Sequence, residues 1–231
     1  MAKSATLTVR KMLYLISNIF VCVCAFISFV YGITQFFKPK KAIYAQMIVL
    51  GVGCIFFGRL YQVVRLLTGG DIANEFQLGI LGVIGSLMFF FSANFGAMDS
   101  LADDGSKEYK KYRIIALAAP LIALALYVFF LLLGDVSRLW KILGAVMTLF
   151  IMQTTYYNLK HLIFPDVEYG VINCLKPYNA LVLFYALLCI ADMIALTREN
   201  DVVVAAVSAQ IGITVLLTVP MLVKGVRKWT I

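Results

Sequence analysis

Six polar side chains stand inside apolar stretches of this sequence where they could bind a charged solute: Asn18, Arg59, Gln62, Arg65, Asp192 and Gln210. A guanidinium or carboxylate in such a stretch is costly and is tolerated facing other protein groups or water, so each marks an interior position. Arg59, Gln62 and Arg65 recur every three residues, which spreads them over an arc of about 120° on one side of a helix. With about 1.5 Å of rise per residue, Arg59 and Asp192 both fall about 7 Å to the same side of the mid-plane. Opposite charges at one depth on different helices are natural partners. Two arginines against one aspartate leave a positive excess, which suits an anionic small molecule carrying a carboxylate or phosphate, because the guanidinium fork pairs with such groups through parallel hydrogen bonds. The plain structural alternative is an Arg59–Asp192 pair that only ties two helices together, with Arg65 extending its stem to the membrane boundary.

A second polar group lies toward the opposite side. Gln153, Tyr157 and His161 follow one another every four residues with Lys160 beside them, Asn94 and Asp99 close another apolar stretch, and Asn179 opens a third. These residues suit a gate at the inner end of a solute path, or a belt of tyrosine, lysine and histidine at head-group depth. Asp99, Asp103 and Asp104 are close enough to suggest magnesium, but lipid-phosphate chemistry needs a second acidic cluster opposite, and none is apparent. Lys107, Glu108, Lys110 and Lys111 follow at once, which reads as a solvated loop of mixed charge. No metal is expected, and His161 is the only histidine.

No cofactor is expected either. The five cysteines (Cys22, Cys24, Cys54, Cys174, Cys189) lie mostly inside apolar runs without zinc spacing and read as small hydrophobes. Lys224 stands at the end of the last apolar stretch, whereas a retinal Schiff base needs a lysine in mid-span.

The elements that must position these groups are membrane helices. Of 231 residues, 62% are hydrophobic and 14% charged, and mean hydropathy is +0.93. A soluble domain carries about a quarter charged residues. A spanning helix needs about 20 mostly apolar residues. The sequence holds seven such stretches, at about 13–37, 42–67, 77–98, 112–134, 138–162, 178–197 and 202–223, so the expected fold is all-α, one transmembrane domain of seven helices. Lys38-Pro39-Lys40-Lys41, Gly69-Gly70-Asp71, the stretch from Asp99 to Arg113 with its Asp104-Gly105 turn, Gly134-Asp135 and Arg198-Glu199-Asn200-Asp201 supply the breaks. The first stretch is too long for a signal-peptide core and reads as a retained span.

Placing the N-terminus outside puts twelve lysines and arginines on inner loops and tail against six on the outer side, which favours N-out/C-in despite the basic N-terminus. Lys38-Pro39 against Lys176-Pro177, and Val83-Ile84-Gly85 against Gln210-Ile211-Gly212, leave a weak trace of a three-plus-one-plus-three repeat. Gly79, Gly82 and Gly85 form a close-packing track that makes the third helix central, and Pro120 and Pro220 should bend the fourth and seventh.

The leading expectation is a small transporter or permease-like protein whose outward polar cavity takes an anionic small molecule. The alternative is a seven-helix receptor or sensor, or an accessory subunit, acting on a membrane or cytoplasmic protein partner through the basic loop 99–113. The expected surroundings are the lipid bilayer, not nucleic acid, since the net charge of +8 sits in short loops and the tail. No catalytic group stands out. The lack of Asn-x-Ser/Thr and of long outer loops points to a bacterial cytoplasmic membrane.

Overall fold

The computed structural model describes residues 2–39, 41–69, 78–99, 103, 105–133, 136–165, 171–198 and 200–229. Lys40, Gly70, Asp71, Asp104, Gly134, Asp135 and Glu199, expected at chain breaks or in the acidic loop, lie outside the described residues.

Among the described residues the chain is helical with no strand. The helices are α1 (Ala2–Phe36), α2 (Ile43–Leu67), α3 (Leu78–Ala93), α4 (Lys110–Ala116), α5 (Ala118–Leu132), α6 (Arg138–Ile163), α7 (Val171–Thr197) and α8 (Asp201–Trp229). A π-helical turn, Asn94–Met98, extends α3, and α4 with α5 makes one broken rod, so seven long helices build the bundle. Six of these rods are long and apolar enough to cross a membrane, which makes this a multi-pass membrane protein. The exception is α6. Its 26 residues are sufficient in length, but its last third, from Gln153 to His161, is too polar to count as an apolar span. Large apolar side chains such as Leu121 and Ile122 point outward, 62% and 53% exposed, as expected where lipid is the solvent.

Local chemistry explains several helix ends. The Ser137 hydroxyl accepts the Trp140 N–H at 3.2 Å and the Asn200 side-chain carbonyl accepts the Val203 N–H at 3.2 Å, each satisfying an orphan donor in the first turn of α6 or α8. The fourth span breaks at Leu117 because Pro120 has no N–H to give the Ala116 carbonyl. Pro220 leaves α8 continuous. The sixth span departs from expectation: it begins at Val171, and Pro177 lies inside α7 instead of opening it, so only one hydrogen bond of that turn is lost.

Neighbouring helices close a ring in the order α1, α2, α3, α6, α7, α8, and the α4–α5 rod leans on α6 from outside it. Only 28% of that rod's apolar window is buried, against 44–50% for the other candidate spans. In this order α2 and α7 stand opposite each other. The tightest seam is α2 against α3. A Cβ added at Gly82 would sit 2.5 Å from the Cys54 carbonyl oxygen, and one at Gly58 would sit 2.8 Å from the Gly79 carbonyl oxygen. The glycine track therefore brings two backbones together beside Arg59. Gly82→Val is expected to force this seam apart and cost about 1–3 kcal/mol, read as a lower unfolding midpoint in detergent, with Gly105→Val, at an exposed turn with φ of +80° and open space around it, as a strain-only control.

Candidate functional site

Arg59 lies on the side of α2 that the Gly58–Gly82 seam turns into the ring, and Asp192 projects from α7 across from it. The Arg59 Nη2 stands 3.3 Å from Asp192 Oδ2. Its Nη1 donates to Asn18 Oδ1 of α1 at 3.0 Å and to Gln62 Oε1 one turn along α2 at 3.2 Å. Asn18 is held in place because its own Nδ2 donates to the Tyr14 carbonyl at 2.9 Å. Arg59 is 7% exposed and Asp192 8%, so the pair lies within the protein, away from lipid. Two of its polar atoms, Arg59 Nε and Asp192 Oδ1, are buried without a hydrogen-bond partner among the described residues. Such atoms are costly to leave alone and mark where water or a ligand group would be accepted.

The structure thus gathers Asn18, Arg59, Gln62 and Asp192. Arg65 is half-buried nearer the end of α2 and adds to the field at the Tyr14 phenol. Gln210 is exposed on α8, its carbonyl accepting the Thr214 hydroxyl at 2.7 Å, and it does not join the group.

A small cleft lies at the end of the bundle that carries Arg10 and Asp201, lined by Arg10, Leu13, Tyr14, Ser17, Leu196, Asp201 and Val204; neither Arg59 nor Asp192 lines it. Arg10 Nε meets Asp201 Oδ1 at 3.0 Å across its mouth, tying α1 to α8. Tyr14 lines the cleft and feels both charges of the Arg59–Asp192 pair. Of this side of α1, Asn18 alone stood out in the sequence; the spacing of three and four residues that puts Tyr14 and Ser17 on its side of the helix is the signal that could have found them.

The opposite end is closed by a denser network. Lys160 Nζ lies 2.6 Å from both Asp99 Oδ1 and Asp103 Oδ2, His161 Nε2 lies 3.2 Å from Asp99 Oδ1, and Arg113 Nε donates to Asp103 Oδ2 at 2.7 Å. The π turn just before Asp99 re-aims the chain toward α6. Lys160 and His161 are 3% and 2% exposed, so the head-group belt expected for them gives way to interior positions filled by carboxylates of the loop. Asp103 likewise is bonded to two cations and is no freely solvated loop residue, and among the described residues no group of acids, histidines and cysteines could hold a metal. Tyr157 packs on Phe91 and Phe95, Asn94 is fully buried, and Gln153 lies exposed outside the cluster.

The guanidinium of Arg113 holds the Asp103 carboxyl well below the usual carboxylate range, against the opposing effect of burial and with Lys160 assisting. Burial alone would push the Asp99 carboxyl up. Hydrogen bonds with His161 and Lys160 outweigh that and leave it lowered.

The chain matches no family model, no curated protein and no solved structure.

Proposed function

We propose that this protein is a small carrier of anionic solutes in a bacterial cytoplasmic membrane, with the Arg10 end outside and Arg59 as the anion-binding group. The observation that carries the reading is a buried guanidinium held by residues of three helices, with its Nε–H unsatisfied among the described residues; a small cleft lined by Tyr14 on the expected outer side supports it. A carboxylate or phosphate entering past Tyr14 would take the Nε–H and Nη edge of Arg59 as a two-pronged donor and displace Asp192 from it. Asp192 then serves as the counter-charge that keeps the empty site neutral. Ion pairs at both ends fit alternating closure: Arg10–Asp201 is a partly exposed contact, whereas Lys160 with Asp99 and Asp103 is a buried one.

A test needs purified protein in detergent and in proteoliposomes. Inorganic phosphate or succinate is expected to raise the melting temperature, and the labelled anion is expected to enter vesicles. Arg59→Gln should weaken the response about ten- to hundredfold, the worth of a charge-assisted hydrogen bond. Asp192→Asn, which removes the competing carboxylate, should tighten it. Binding that survives Arg59→Gln unchanged removes this reading. A sensor is the second reading, supported by the anchoring of loop residues Asp99 and Asp103 on Lys160 of α6; anion binding without uptake would select it.

A further inference from the structure

A stripe of polar side chains runs down α7 from Asp192 toward the opposite end: Cys189, Tyr185 and Tyr178 follow at intervals of three, four and seven residues, all on one side of the helix and all buried. This stripe faces the ring interior. The Tyr185 hydroxyl lies against the Cys189 sulfur and 2.9 Å from the Ser86 hydroxyl of α3. Tyr178, about 10 Å further along, is fully buried and near Tyr44 of α2, and neither hydroxyl has a hydrogen-bond partner among the described residues. In the same half of the bundle both side-chain atoms of Asn94 and the side-chain carbonyls of Asn158 and Asn179 are also buried and unpartnered. Orphaned polar atoms on α2, α6, α7 and the turn after α3 are the setting in which buried water is held, since each water needs two to four such partners. Beyond them lies the Asp99–His161 contact.

We propose that this file of hydroxyls and internal water conducts protons between Asp192 and the Asp99–His161 pair, so that the proposed anion carrier is driven by protons. The inference rests on the carrier reading only for its purpose; the conduction stands on the file itself. When an anion engages Arg59, Asp192 loses its counter-charge and takes a proton at Oδ1 from the cleft side. Asp192 then releases that proton into the file, where each hydroxyl or water oxygen accepts one proton and releases another, so the file is unchanged and one proton leaves it at the Asp99–His161 end. Asp192 is faced by Arg59 from α2, Tyr14 from α1 and Cys189 of its own helix, and Asp99 by Lys160 and His161 from α6 with Tyr157 nearby. The asparagines cannot relay a proton and serve to hold water in place.

The experiment loads proteoliposomes with a pH-sensitive dye, clamps the membrane potential with potassium and valinomycin, and applies an acid pulse with and without inorganic phosphate. Protein-dependent acidification of the lumen is expected. Tyr185→Phe and Tyr178→Phe, which each remove one oxygen and keep the ring, should lose most of it. Phosphate-induced stabilisation, read in the same preparations, should survive in both, because neither residue bonds Arg59. No protein-dependent proton movement, or full movement in both variants, overturns the file. Should Tyr185→Phe fail to fold, Ser86→Ala carries the same expectation and the same risk. Proton flux without any phosphate or succinate response leaves the file standing and removes the carrier; the converse result removes the file alone.

Discussion

Arg59→Met is expected to destabilise the bundle by about 3–5 kcal/mol, far more than the paired replacement Arg59→Met with Asp192→Leu. The single change leaves the buried Asp192 carboxylate without its guanidinium, and Asn18 and Gln62 lose the donor their side-chain oxygens accept from. The double change removes both desolvated charges, and apolar groups of similar volume fill the space, which is often neutral or stabilising. Asp192→Leu alone should lie close to Arg59→Met, because a buried guanidinium without its carboxylate costs as much. Unfolding midpoints of the four proteins in detergent give the coupling energy directly. A coupling near zero would mean that each charge already finds water or lipid head groups, and the enclosed site would be lost with it. The same cycle separates tie from site. A purely structural pair predicts that the double variant behaves as wild type in every respect, whereas the carrier reading requires it to be stable and unable to bind phosphate or succinate.

Much of this architecture is legible in the sequence because a bilayer imposes so few choices. Backbone groups in lipid must be satisfied within helices, so apolar stretches and their breaks map onto rods almost directly. The approach of Arg59 to Asp192 also follows from helix rise alone, since matched depth on two spans leaves few other partners. Pro177 misled because a proline near the start of a helix and one that opens it look alike in sequence; the chain from Val171 is helical first. Gln210 misled for a different reason: depth can be computed from residue number, but the rotation of α8 about its own axis is set by packing, which turns Gln210 outward and Thr214 and Thr218 inward. The closure around Lys160 was least legible. It joins Asp99 and Asp103 to a residue some sixty positions away, and loop charges followed by more loop charges read as a solvated segment until the fold brings α6 beneath them. Gly82 was visible in the glycine track of the third helix, while Gly58 and the helix it packs against were not.

Lys160→Met should release the loop end of the bundle and reverse the response of that end to pH. In the wild-type protein Asp99 and Asp103 titrate below their ordinary values, so folding is favoured by their ionised forms. That contribution is complete above the unfolded carboxyl range near pH 4, and it declines as pH falls through the lower folded values. The wild-type protein therefore loses stability on acidification. Removing the Lys160 ammonium leaves Asp103 to Arg113, but Asp99 keeps only His161 against burial, the strongest influence on it. The two carboxylates, both drawn to within 2.6 Å of one nitrogen, then repel each other. With Asp99 raised instead of lowered, acidification protonates it and relieves the repulsion, so the variant should gain relative to wild type as pH falls from neutral toward 4. At neutral pH the expected loss is roughly 3 kcal/mol, the lower end for breaking a buried ion pair. Asp99→Asn added to Lys160→Met should recover part of this loss and flatten the pH dependence. Melting temperature against pH for the three proteins decides the matter, and parallel curves for wild type and Lys160→Met would mean that Lys160 does not govern these acids.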